Sequence, residues 1–101
     1  TTISMDDYMI ENTEPKKLVG RIMYTKYLKE KGNPIKPIAI FVEYTDATSY
    51  NVYYNLFYIK EKRIINVGFD HKHVNNLISS LEENKFTEKE NYNSEYIWMI
   101  I

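Results

Sequence analysis

Residues 50–59 read Tyr50-Asn51-Val52-Tyr53-Tyr54-Asn55-Leu56-Phe57-Tyr58-Ile59. At a period of two, Tyr50, Val52, Tyr54, Leu56 and Tyr58 make a continuous apolar face, while Asn51, Tyr53, Asn55 and Phe57 make a mixed one, which predicts a half-buried strand. Tyr supplies a rigid ring and a hydroxyl together, so the mixed face suits recognition; it is also what the solvent side of an ordinary sheet looks like.

Working outward, Lys60 to Lys62 reads as a turn. Arg63 to Phe69 follows as a strand with Ile65, Val67 and Phe69 on one side. Upstream, Ile38, Ile40, Val42 and Tyr44 predict another strand with those four residues on one face, and Thr45 to Ser49 a polar loop. Connections this short make the strands antiparallel neighbours.

Leu18 to Leu28 poses a conflict. Thr13, Glu14 and Pro15 resemble a helix start, and Gly32, Asn33 and Pro34 a stop. On a helical wheel, however, its apolar residues scatter all round, whereas at period two Leu18, Gly20, Ile22, Tyr24 and Leu28 share a face. Gly20 would also cost a helix interior about 1 kcal/mol relative to Ala, so a strand is expected. Asp70 is a good helix N-cap, and Val74, Leu77, Ile78 and Leu81 fall at i, i+3, i+4 and i+7, predicting the main helix over 71–84. Ser4 and Asp7 resemble a capping box and suggest a short N-terminal helix over 4–11. The tail Glu95 to Ile101 is apolar on both faces, so it is expected to be a strand that is covered on both sides or that pairs with another chain. The whole reads as one α+β domain: an antiparallel sheet of four or five strands with the 71–84 helix packed on one face.

The 101 residues contain no Cys, which removes disulfides, thiol catalysis and thiolate metal sites. No apolar run approaches the roughly 20 residues of a membrane span, no signal peptide is evident and no Asn-x-Ser/Thr sequon occurs; a cytoplasmic setting is expected, that of a host cell if the gene is viral. Ile, Lys, Asn and Tyr account for 44 of the 101 residues, with two Arg and no Gln. That usage is typical of AT-rich coding sequences, common in phages, other viruses and some bacteria, and it weakens any argument from Tyr or Lys content alone.

Candidate chemistry is sparse. Asp70, His71 and His73 have metal-ligand character, yet imidazoles two apart on a helix diverge and the chain has no third His. A capping Asp with two solvated His is the simpler reading, so no metal and no cofactor are expected. There is no nucleophile elbow, and Ser79 and Ser80 fall mid-helix. Asp6 and Asp7, like Glu82 and Glu83, are adjacent in sequence and point apart. The three Gly are not spaced to cradle phosphate. No enzyme is expected.

Charge is segregated along the chain. Residues 1–15 hold four acids and no base, and residues 16–36 carry a local balance of +6 from Lys16, Lys17, Arg21, Lys26, Lys29, Lys31 and Lys36 against Glu30. The leading expectation is a non-enzymatic protein-binding module of the inhibitor, immunity or viral counter-defence type, contacting its partner through Tyr53, Asn55, Phe57, Tyr27 and Arg21, with a homodimer also expected from the apolar tail. The alternative is a single-stranded nucleic-acid binder that tracks phosphates with Lys17, Arg21, Lys26 and Lys29 and stacks bases on Tyr53; the net charge of -1 and the lack of an RNP-type motif count against it.

Overall fold

A computed structural model describes residues 14–32, 34–87 and 95–101. The expected helix over 4–11 lies outside them. Glu14–Leu18 forms a 3-10 turn, followed by strands β1 (Ile22–Tyr27), β2 (Ile35–Ala47), β3 (Asn51–Tyr58) and β4 (Arg63–Asp70), helix α1 (His71–Glu83) and strand β5 (Tyr96–Ile100). The five strands form one antiparallel sheet in the order β4-β3-β2-β1-β5. The architecture is therefore α+β, with the sheet and single main helix that the sequence predicts.

The Tyr-rich strand folds as its alternation demands. Val52, Tyr54 and Leu56 are fully buried and pack with Leu18, Met23, Ala39, Phe41, Val74, Leu77, Ile78 and Ile100 in the core between sheet and helix. Helix α1 starts on Asp70, whose carboxylate accepts the His73 N–H at 2.7 Å. It stops where Asn84 turns left-handed at φ 55°, a conformation Asn tolerates better than most residues.

Two expectations need correction. Within 18–28 the strand begins only at Ile22: Leu18 belongs to the 3-10 turn, and Gly20 adopts φ +83°, outside the range of a strand. In β2, Ile38, Ile40, Val42 and Tyr44 do not share a face. The buried residues are Ala39 and Phe41, while Val42 is exposed. The pairing with β3 skips Val42 and again Thr45, and the pairing with β1 skips Ile38. Each bulge adds one residue and reverses which side of the sheet the following residues face.

Candidate functional site

Helix α1 and the 3-10 turn both pack on one side of the sheet, where Tyr54 donates its hydroxyl proton to the Pro15 carbonyl at 2.6 Å. No described element covers the other side, and this open face is the candidate site. Strand registers place one apolar residue from every strand in a single row across it. Ile101, just past β5, exchanges both backbone hydrogen bonds with Ile22, at 2.9 and 3.0 Å. Ile22 lies opposite Ile40, Ile40 opposite Phe57, and Phe57 opposite Ile64. The two ends of the row are the most open, with Ile64 58% and Ile101 53% exposed. Tyr24 and Met99, paired with each other, extend the row on one side.

On the other side the face is polar and internally tied. Asn66 donates from Nδ2 to Asn55 Oδ1 and to Thr45 Oγ1, both at 3.0 Å, and Asn55 Nδ2 donates to Glu43 Oε1 at 2.7 Å. Thr45 Oγ1 donates to the Tyr53 carbonyl at 3.1 Å. These bonds fix the amide orientations, so the polar side chains are set before anything binds. Tyr53 sits next along β3, opposite Gly68.

Of the residues singled out from the sequence, Tyr53, Asn55 and Phe57 therefore share the open face, Lys26 lies on the same side of the sheet two residues beyond Tyr24, and the others lie elsewhere. Tyr27 is on the helix side of β1, stacked on Tyr96 with ring centroids 4.9 Å apart. Its hydroxyl donates to Glu95 Oε2 at 3.1 Å, and this bond to a carboxylate, with the carboxylate's charge, raises the phenol's pKa. Arg21 is exposed just before β1. Part of the basic segment is matched by acids: Lys17 pairs with Glu82 at 3.1 Å and Lys29 with Glu95 at 2.7 Å, both distant in sequence, while Lys36 reaches Glu30 within the segment at 3.8 Å. Lys26 places its ammonium 4.7 Å from the Phe86 ring centroid. The +6 stretch thus does not fold into a continuous track of unmatched cations.

The two imidazoles go separate ways. His71 Nε2 lies 2.9 Å from the Thr48 carbonyl and the His73 ring packs 5.4 Å from that of Phe69. Among the described residues, no three His, Asp or Glu gather where they could share a metal ion, and no helix is long and apolar enough to cross a membrane.

Sequence reasoning missed Ile22, Ile40, Ile64 and Ile101 as parts of the site. Each strand's alternation hinted at a second apolar face, but only the register aligns them. Comparison of the chain with protein-family models, curated proteins and solved structures returns no match.

Proposed function

We propose that the protein is a non-enzymatic binding module that docks another protein on the open face of its sheet, with Phe57, Tyr53 and Asn55 at the centre of the contact. The observation that carries this reading is the five-strand row of Ile101, Ile22, Ile40, Phe57 and Ile64, bordered by the tied set Glu43, Thr45, Asn55 and Asn66. An apolar strip beside polar groups of fixed orientation resembles the core and rim of a protein interface. On this reading the module acts by occupying its partner's surface, as inhibitors and immunity proteins do. Single-stranded nucleic acid is the weaker reading, because Lys17 and Lys29 are held by Glu82 and Glu95 and the polar part of the face includes the carboxylate of Glu43.

The test is affinity capture from the native host with three baits: the unaltered chain, Phe57→Ala and Tyr53→Ala. A partner that uses this face should lose about 2 kcal/mol of affinity with Phe57→Ala, or roughly 30-fold, provided the variant's thermal midpoint shows it folded. A partner retained equally by all three baits overturns the assignment. Submicromolar binding of a short oligonucleotide, with a steep dependence on salt, would replace protein by nucleic acid.

A further inference from the structure

The two edges of the sheet are finished differently. Outside β5, Thr87 N–H donates to the Trp98 carbonyl at 2.7 Å, Trp98 N–H to Thr87 Oγ1 at 3.1 Å, and Ile100 N–H to Ser80 Oγ at 3.3 Å. The apolar tail is thereby engaged within its own protomer. No described strand lies beyond β4 at the opposite edge. Ile59 N–H donates to the Ile38 carbonyl, and the Asn51 carbonyl accepts from Thr48 N–H, so the odd-numbered residues of β3 turn their peptide groups toward β2 and the even-numbered ones toward β4. Since Tyr54 faces Val67 and Leu56 faces Ile65, the peptide groups of Ile64, Asn66 and Gly68 point away from the sheet. Between Arg63 and Asp70 this edge carries neither charge nor proline, the devices that usually discourage pairing.

We propose that a second copy of the chain pairs with this edge, antiparallel, about a twofold axis at Asn66, giving one continuous ten-stranded sheet. Residues on the open face can oppose only others on that face, so even numbers meet even numbers. With Asn66 on the axis, Ile64 stands opposite the second copy's Gly68, beside the Tyr53 ring that covers it, and Ile65 meets Val67 on the helix side. Lys62, in the β3–β4 turn, meets the second copy's Asp70, and the twofold makes that pair of opposite charges twice. Moving the axis to Val67 would set Ile64 against Asp70 and Arg63 against His71, losing both matches. The proposal does not rest on the protein-docking reading, and the two surfaces meet at Ile64 and Tyr53.

The test uses sedimentation equilibrium together with single-cysteine variants, because the chain has no thiol of its own. The unaltered chain should be a dimer at micromolar concentration, and Ile64→Lys should raise the dissociation constant at least about tenfold. Asn66→Cys should form a covalent dimer under mild oxidation, the hydrogen-bonded pair bringing its α-carbons to about 5.5 Å, within disulfide reach. Val67→Cys and Lys72→Cys should stay uncrosslinked. A chain that remains monomeric at high micromolar concentration overturns the proposal, as does a dimer in which Asn66→Cys fails to cross-link. Cross-linking by Val67→Cys instead overturns the register. If Ile64→Lys fails to fold, the cysteine variants decide alone.

Discussion

The ring of Tyr53 lies so close to the backbone of Gly68 that a β-carbon at that position would stand 2.6 Å from Cε1 and 3.0 Å from Cδ1. Glycine inside a strand ordinarily weakens it, and a cross-strand aromatic lying over the gap compensates. Tyr53 is therefore held against the sheet by its neighbour, and its ring is oriented without help from a partner. The same residue serves packing and, under the proposed function, recognition.

Gly68→Ala should destabilise the protein by about 1–3 kcal/mol, since the ring must swing away to admit the methyl group. A shift of the urea midpoint measures it. The cost should shrink in a Tyr53→Ala background, where nothing blocks the added carbon, so the two substitutions should be strongly non-additive. An alanine that is neutral in the presence of Tyr53 would show that the ring does not rest there.

Tyr54 makes stability depend on alkaline pH. Its side chain is fully buried, and burial, with a smaller contribution from Tyr44, pushes the phenol well above its ordinary value of about 10. The folded chain keeps this proton at a pH where the unfolded chain has lost it. Stability from this group is thus complete below about pH 10 and falls as pH rises further, by up to about 1.4 kcal/mol per pH unit. Tyr44 and Tyr58, also raised by burial, act in the same direction. Urea midpoints should drop as pH rises above about 10, and Tyr54→Phe should flatten part of that drop. At neutral pH the same variant should be about 1 kcal/mol less stable, because the Pro15 carbonyl loses its donor. A drop of the same size in Tyr54→Phe would assign the pH dependence to other groups.

The elements that could be read from the sequence are those whose periodicity is unbroken. Val74, Leu77, Ile78 and Leu81 announce α1, and Val52, Tyr54 and Leu56 announce the buried face of β3, because each run keeps one period from end to end. β2 defeats that reading: bulges at Ile38, Val42 and Thr45 change the parity three times, and the core contribution of Ala39 is invisible in a residue so small. The site was half legible for a related reason. Tyr53, Asn55 and Phe57 lie on one strand, so alternation alone groups them. The row from Ile101 through Ile22 to Ile64, and the pairing of Lys17 with Glu82, depend on strand order and register between segments distant in sequence, which local pattern does not encode. That Tyr27 falls on the helix side of β1, across the sheet from Tyr53 and Phe57, is hidden for want of the same information.

Ser80 is the clip that fastens α1 to β5. It is 2% exposed, its hydroxyl donates to the Lys85 carbonyl, and the same oxygen accepts the N–H of Ile100, itself 1% exposed. Ser80→Ala leaves that buried amide without an acceptor and should cost about 1–3 kcal/mol in a urea melt. Amide hydrogen exchange adds a local readout: Ile100 and Trp98 should exchange faster than the global loss of stability accounts for, while amides in the centre of β3 follow the global change alone. Loosening β5 also uncovers the sheet edge that Ser80 and Thr87 occupy, so Ser80→Ala should associate more strongly with rising concentration than the unaltered chain. If Ile100 exchange tracks the core in the variant, the serine is ordinary packing and the β5 edge is secured by Thr87.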